Sequence, residues 1–355
     1  MDAYEGIQFE HIVIDADGPE NPHIKTVGDI NGDGIAEVVV ASSNGGPLVW
    51  YEYPGWKKHV IAPAGKWSCY AQVVDMNGDG HQDILISEWY GLNRMEWYEN
   101  PAPEGDPATD PWKRHIMGSP RAHDIDIGDI DGDGEMEMVT RSQGKEGGEI
   151  LIWKRNGESW VHRAIECPLG EGLVLGDIDN DGKLEMIIGG RWYKASGDIM
   201  NDPWEAHVFA DWHIDAVVKV ADMSKNGRLD VVLTRSEGPY RISWFEVPSD
   251  PINGEWVEHV IDDDLDFAHG MAVCDMTGDG NLDVITAEMH QSSRKRVIVY
   301  FNQGDGVKWG RQIVAETGSH NIWVADIDGD GRPDIVGANW SGDYQPVEMW
   351  RNKRN

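Results

Sequence analysis

Short apolar runs rich in β-branched and aromatic residues recur along the chain, each broken by Gly, Pro, Asn or Asp. In the first stretch, Ile24-Lys25-Thr26-Val27-Gly28 leads into an acidic turn and Glu37-Val38-Val39-Val40-Ala41 leaves it. Leu48-Val49-Trp50-Tyr51-Glu52 follows, then a Pro-Gly break, then Trp56-Lys57-Lys58-His59-Val60-Ile61. The pattern predicts four antiparallel strands, lettered a to d. Later counterparts of c include MEWYEN, ILIWKR, ISWFEV, VIVYFN and VEMWRN, and of d WKRHIM, WVHRAI, WEAHVF, WVEHVI and WGRQIV. No long helical periodicity interrupts them.

The turn between a and b returns seven times, starting at Asp29, Asp75, Asp129, Asp177, Asp222, Asp275 and Asp326, with gaps of 46, 54, 48, 45, 53 and 51 residues. A period of that size sustained over the chain means a repeat architecture. Four strands repeated seven times predict an all-β fold, a single seven-bladed β-propeller over residues 1–355. The ends agree with a closed ring. Phe9-Glu10-His11-Ile12-Val13 reads as a d strand without a, b or c before it, and Val347-Glu348-Met349-Trp350-Arg351 as a c strand without a d after it. The first strand is expected to complete the last blade.

Composition changes this picture in two places. A length of 355 residues would allow two domains, and the repeat argues for one. The formal charge is −33, and 23 of the 63 acidic residues occupy positions 1, 3, 5 and 9 of the seven turns. The acidity is therefore scaffold, not tail, and its field disfavours nucleic acid and anionic membranes as partners. Three cysteines are too few for a disulfide framework, and the odd number leaves at least one free. No apolar run reaches membrane-spanning length. The start, MDAYEGIQFEH, lacks the basic and apolar regions of a signal peptide. That is expected of a cytoplasmic protein or of a mature exported one, periplasmic or extracellular.

Oxygen side chains at positions 1, 3, 5 and 9 with Gly at 6 form a compact candidate calcium loop. The fullest sets are Asp129/Asp131/Asp133/Glu137, Asp177/Asp179/Asp181/Glu185 and Asp326/Asp328/Asp330/Asp334. Asp and Asn also cap such turns without metal, and both readings make the turns scaffold. The repeated D-x-[DN]-G-D-G-x-x-[DE] between two strands resembles the FG-GAP/VCBS repeat family of propellers. That resemblance implies the fold; for function it implies only a range, from adhesion modules to lectins and sugar-cleaving enzymes.

Strand a lines the channel of a propeller, and its start lies on the face opposite the acidic turns. Six residues before each turn stand His23, Cys69, His123, Glu171, Ala216, His269 and His320, with His213 offset in the fifth repeat and Tyr70 beside Cys69. His269, His320 and His23 come from blades six, seven and one, neighbours in a closed ring, and three imidazoles suit zinc or a similar metal with an open position. A hydrogen-bonded histidine ring is the alternative. By contrast His59, His115, His207 and His259 follow the d-strand Trp by three residues and read as scaffold.

The ends of the b strands add Glu88-Trp89-Tyr90, Arg141, Arg191-Trp192, Arg235, Glu288-Met289-His290 and Asn339-Trp340. Arg141, Arg191 and Arg235 are expected to clamp an anion, unless Glu88, Glu171, Glu237 or Glu288 pairs with them. Trp89, Trp192 and Trp340 offer faces for sugar rings or pack between blades. Bases (His123, His213, Tyr70), arginines and a Lewis acid suit β-elimination on a carbohydrate, with Glu88, Glu171, Glu288, His290 and Asn339 holding substrate. EWYENP…PWKRHIM and WYEYPGWKKHVI are similar to the propeller domain of aldos-2-ulose dehydratase-type enzymes, which implies zinc-dependent dehydration of a keto-sugar. Seven-bladed polysaccharide lyases acting on uronate-containing glycans are a second resembling group. The cupin and lectin domains of the first group have no counterpart in these 355 residues. The leading expectation is a carbohydrate lyase or dehydratase. The alternative is a non-catalytic lectin-like propeller, against which stands the change of mouth residues from blade to blade.

Overall fold

The computed structural model describes residues 6–89, 92–304 and 306–353. Tyr90 lies outside them. Twenty-eight strands form seven four-stranded antiparallel sheets. Six sheets are continuous in sequence, their a strands being Pro22–Gly28, Trp67–Val74, Asp124–Gly128, Val174–Gly176, Ala216–Ala221 and Ala268–Cys274. The seventh combines Ile322–Ala325, Asp334–Gly337 and Val347–Asn352 with Phe9–Asp15 from the other end of the chain. Phe9 pairs with Asn352 and Ile12 with Met349, so the first strand closes the last blade as expected. Among the described residues the other regular element is one 3-10 turn, Gly144–Gly148.

Apolar side chains of b and c fill the seams between blades. One cluster joins Trp50 and Ile61 of blade one to Ile84 and Trp112 of blade two; another joins Trp192 of blade four to Val231 and Phe245 of blade five. The c-strand residue paired with position 10 of each turn is aromatic throughout: Tyr51, Tyr98, Trp153, Tyr193, Phe245, Tyr300 and Trp350. In six blades a c-strand Trp also meets a d-strand His, from 4.0 Å between centroids for Trp97–His115 to 6.0 Å for Trp350–His11. His59, His115, His207 and His259 belong to this outer set.

Each acidic turn is held by its own carboxylates. Asp29 accepts from the backbone N–H of Gly32 (2.8 Å), Asp33 (3.1 Å) and Gly34 (3.0 Å), and Glu37 from that of Ile30 (2.8 Å). Position 6 is left-handed (Gly34, φ +88°), which favours glycine there. In blade three, Lys154 Nζ lies 2.8 Å from Asp131, 2.8 Å from Asp133 and 2.9 Å from Glu137. In blade four Lys194 takes the same place, bonded to Asp179, Asp181 (2.6 Å) and Glu185 (3.5 Å). Arg351 Nη1 reaches Asp328 at 3.4 Å in blade seven. The three fullest candidate calcium sets thus each already meet a cation of the chain itself, so calcium would have to displace it.

Those sets also come together as three acids, not the expected four. Oxygens within 4.8 Å of one another are supplied by Asp129/Asp131/Glu137, Asp177/Asp179/Glu185 and Asp326/Asp328/Asp334. The position 5 acids Asp133, Asp181 and Asp330 stand outside, because both of their oxygens are engaged. One accepts the backbone N–H of position 7, from Glu135 (2.8 Å), Lys183 (2.9 Å) and Arg332 (3.0 Å) respectively. The other meets a cation: Lys154 for Asp133, Lys194 for Asp181 and the Arg332 guanidinium for Asp330.

Candidate functional site

The starts of the a strands converge at the axis, and there the carboxylate of Glu171 decides which histidines meet. His123 Nε2 lies 3.5 Å from Glu171 Oε2, and His269 Nε2 lies 3.9 Å from Glu171 Oε1. One nitrogen from each ring and one Glu171 oxygen all fall within 4.8 Å of each other. All three side chains are at most 2% exposed.

The tautomers follow from the partners. Asn321 donates its amide N–H to the Cys69 carbonyl (2.8 Å), so its oxygen faces His269 Nδ1 (3.1 Å) and accepts from it. His269 Nε2 then keeps its lone pair. His123 Nδ1 likewise faces Asp124 (3.2 Å), which also accepts from Gly172 N–H (2.8 Å). Tying Nδ1 outward and leaving Nε2 inward is how a metal-binding imidazole is held. Glu171 Oε1 accepts from the Ser236 hydroxyl, whereas Oε2 is buried with no hydrogen-bond partner. A buried carboxylate with Oε2 toward His123 Nε2 and Oε1 toward His269 Nε2 fits a divalent cation in place of the His123 proton.

The expected trio of His23, His269 and His320 does not converge. Their rings stack, His23 on His320 at 4.5 Å and His269 on His320 at 4.2 Å, with interplanar angles of 25° and 26°. Burial, reinforced by neighbouring cationic groups, holds His23 and His320 well below the usual imidazole range, so both are neutral. Lys25, beneath them, is brought to about 7 by burial and donates to the carbonyls of Pro22 (2.9 Å) and His23 (3.3 Å). For His123 burial works the other way from the charges of Cys69, Asp124 and Glu171, which together carry it well above the usual range. A cation at this spot, proton or metal, is what the surrounding acids select.

Other candidates divide sharply. Tyr70 sits 5.9 Å from the His123 ring, but burial, then Asp124 and Glu171, push its phenol well above the usual range; it can donate, not act as base. Trp89 and Trp340 flank the histidines, at 6.1 Å from His123 and 4.7 Å from His23, and His290 packs 5.5 Å from Trp340. Trp192 is no platform. The b strand of blade four ends at Ile188, and the Gly189-Gly190 hairpin places Trp192 on strand c, fully buried and stacked on His207. Glu88 pairs with Arg94 (3.0 Å) and Arg114 (3.3 Å), and Glu288 with Arg294 (3.0 Å) and Arg296 (2.6 Å), so each is neutralised within its own blade. Asn339 donates to the Thr317 carbonyl (2.8 Å).

The arginines do not form one clamp. Arg141 is engaged by the carbonyls of Gly147, Pro168, Glu171 and Gly172 at 2.7–3.1 Å. Arg235 reaches the Pro239 carbonyl at 3.4 Å. Arg191, with Arg141, Trp212 and His213, lines a cavity of about 210 Å³. His213 Nδ1 accepts from Asp215 N–H (3.1 Å), leaving the proton on Nε2. On the channel side, Asp124 and Tyr70 border a second cavity of about 240 Å³ with Asp126, Lys219 and Trp323. Asp124, Asn321 and Ser236 were not anticipated. The first two stand five residues before their turns, one beyond the position whose ring was followed.

Three segments, residues 29–86, 75–140 and 275–337, match the FG-GAP-like repeat model. The chain carries FG-GAP-like repeats. No curated protein sequence matches it. Solved structures with a similar fold include the exotype rhamnogalacturonan lyase YesX, 13% identical over 100% of this chain and 74% of that one (TM-score 0.56). The Bacillus licheniformis rhamnogalacturonan lyase PL11 is 14% identical over 98% and 76% (TM-score 0.52). An Agrocybe aegerita lectin that recognises non-reducing terminal N-acetylglucosamine is 17% identical over 94% and 91% (TM-score 0.53). At such identities the likeness is one of fold. In this FG-GAP-repeat propeller, the turns that match the repeat lie at the end of the ring away from the histidines.

Proposed function

We propose that this FG-GAP-repeat propeller is a carbohydrate lyase or dehydratase whose central site is built on His123, Glu171 and His269. The observation that carries the reading is the pair of imidazoles with Nδ1 tied and Nε2 turned toward the buried Glu171 carboxylate, one of whose oxygens has no hydrogen-bond partner. These three residues would hold a divalent metal, zinc or a similar ion, which supplies a Lewis acid that stabilises the enolate of an elimination. Asp124 and Asn321 keep the two rings oriented, and Ser236 fixes the Glu171 carboxylate. His213, half-exposed on the cavity wall with Nδ1 3.3 Å from the Asp215 carboxylate, would as the imidazolium give its Nε2 proton to the departing oxygen and be left neutral. Trp89 and Trp340 supply apolar faces for a sugar ring. Similar folds in two rhamnogalacturonan lyases and in a lectin support a carbohydrate partner.

The test has two parts. Protein purified without added metal should contain about one transition-metal ion per chain, removed by Glu171→Gln. Keto-sugars and uronate glycans should then be screened for the ultraviolet absorbance of an unsaturated product. Sugar binding without any such product would leave the lectin-like reading.

A further inference from the structure

At five of the seven seams between blades, the turn end is covered by chain that the following blade lays on the one before. The c-to-d connections of blades two, four and five end GDPATDPW, GDIMNDPW and SDPINGEW. Each is an acidic turn capped by its own aspartate: Asp106 accepts from Ala108 N–H (2.8 Å), Asp198 from Met200 N–H (2.8 Å) and Asp250 from Ile252 N–H (3.1 Å). The closing Trp donates its indole N–H back to the turn, to the carbonyls of Pro107, Ile199 and Pro251 at 3.0–3.1 Å. At three seams one position of strand d grips the covering chain. His59 Nδ1 lies 3.1 Å from the Ala108 carbonyl, Arg163 donates to those of Ile199 (3.1 Å) and Asp202 (2.7 Å), and Gln312 to that of Ile7 (2.7 Å). At the other two, Trp256 stacks on Phe209 (4.4 Å) and the Gly306 carbonyl accepts the Trp244 indole N–H (2.6 Å). Ala108, Ile199 and Ile7 also pack in the clusters that hold Ile30, Ile130 and Met276, the second residues of the acidic turns below them.

Blade three lays no such turn on blade two. Its Asn156 pairs with Ser159 across Gly157 and Glu158, a two-residue hairpin. A groove of about 510 Å³ remains between Trp97, His115 and Ile116 of blade two and Arg155, Glu158 and Trp160 of blade three. Beside it, sharing Arg155 and Trp160, is a second and mainly apolar cavity of about 210 Å³ lined by Met76, Met136 and Met138. These groups have occupied counterparts at the other seams. By strand register His115 stands where His59, Arg163 and Gln312 stand, and its Nδ1 has no partner among the described residues, Nε2 being held by Glu99 (2.5 Å). Trp160 stands where Trp112 stands, and its indole N–H has no acceptor among the described residues. Met76 is the second residue of its turn, as Ile30, Ile130 and Met276 are of theirs. Arg155 donates to the Met76 carbonyl (3.3 Å) and among the described residues meets no carboxylate, so the groove favours an acidic occupant.

We propose that the seam between blades two and three is a docking groove for a partner polypeptide carrying a self-capped acidic turn like those of blades two and four. The turn occupies the place of the missing c-to-d connection. Its backbone carbonyls meet Trp160 and His115, an apolar side chain enters beside Met76, and its carboxylates face Arg155. The groove lies at the end of the ring away from the histidine cluster, so this assignment stands or falls apart from the elimination reading.

The probe is the turn itself: a peptide with the sequence of residues 101–111, closed head to tail because strands c and d hold its ends together, titrated into the full chain by calorimetry. Saturable binding of one peptide per chain is expected. Replacing both capping aspartates of the peptide by alanine should weaken it at least about tenfold, since the turn is then no longer preorganised. Trp160→Phe keeps the ring, removes the N–H and should cost about fivefold. Grafting residues 101–111 in place of residues 156–159 fills the groove from within and should abolish binding. Absence of saturable binding, or binding that survives in the folded graft, would overturn the proposal. Should the graft fail to fold, unchanged affinity in Trp160→Phe would overturn it instead. An oligosaccharide that binds the native chain and not the graft, where the peptide does not bind, would replace the polypeptide with a sugar.

Discussion

The acidic turns and the histidine layer occupy opposite ends of the same strands, and they treat variation in opposite ways. In the turns, a change in one residue is answered inside the blade. Where position 3 is aspartate (Asp131, Asp179, Asp328), the c-strand residue after the paired aromatic is Lys154, Lys194 or Arg351. Where position 3 is Asn31, Asn77, Ser224 or Thr277, that residue is Glu52, Glu99, Glu246 or Phe301. Added negative charge is matched by added positive charge. In the histidine layer the change is answered mostly between blades: Asp124 holds His123 of its own blade, but Glu171 of blade four faces His123 of blade three and His269 of blade six, and one of its oxygens has no hydrogen-bond partner. Compensated variation maintains a scaffold. Variation that leaves a buried carboxylate oxygen at the axis without a hydrogen bond is the feature from which we propose a ligand.

The comparison breaks most severely at Glu171. Glu171→Gln keeps the shape and the Ser236 contact but removes the charge that draws two imidazoles together. Bound metal, measured by elemental analysis, should fall from about one per chain to near zero, and elimination should be lost, with the circular dichroism of the sheets retained. Unchanged metal content would place the ion elsewhere. Asn321→Ala should act next most strongly. It frees His269 Nδ1 and leaves the tautomer undetermined, for a loss of about 10- to 100-fold in metal affinity by competition with a chelator.

The repeat made the fold legible, because hydrophobic period, turn chemistry and blade count all report local structure. It also located the mouth layer, since counting back from each turn fixes depth along strand a. What it did not convey was lateral pairing. Three histidines from adjacent blades invite a trio, yet neutral imidazoles without an anion stack on one another, and the carboxylate from a distant blade gathers two of them. Trp192 was misplaced for a local reason: a two-glycine hairpin moves it from the end of b onto c. Lys154 and Lys194 were missed because their contacts with the turn depend on the register of a strand that follows it.

At the turn end the same comparison is sharpened by Lys154→Met. It leaves Asp131, Asp133 and the buried Glu137 facing each other without their cation. A loss of about 1–2 kcal/mol is expected in denaturant unfolding, modest because Lys154 is itself partly in water. Calcium should recover much of it, three carboxylates in that loop being a fair oxygen cage once the ammonium is gone. Glu52→Met, at the corresponding position of blade one, should gain no calcium response, its own cost coming from the lost 2.8 Å bond to the buried His59 and not from the turn. If both variants respond alike, the charge matching between turn and strand c is not what holds these turns.

The smallest expected effect is one of pH, and it is shared by turns with and without an internal cation, since burial also raises Glu185 and Asp334 to about 7. Burial raises the position 9 carboxyls Glu37, Asp83 and Asp283 to about 7 each, against 3.8 to 4.5 for free side chains. The backbone N–H groups of Ile30, Met76 and Asn100 pull the other way without overcoming burial. Between those limits the folded protein keeps protons that the unfolded chain has released. Stability contributed by these groups therefore falls as pH rises from about 4 toward 7 and stays lost above it. Melting in the presence of chelator should accordingly occur at higher temperature near pH 5.5 than near pH 8, and Glu37→Gln should flatten part of the slope. A melting temperature that climbs steadily across that window would mean that the backbone N–H groups, and not burial, govern the turn carboxylates. That outcome would apply to Glu185 and Asp334, in the turns that meet Lys194 and Arg351, as much as to Glu37, Asp83 and Asp283.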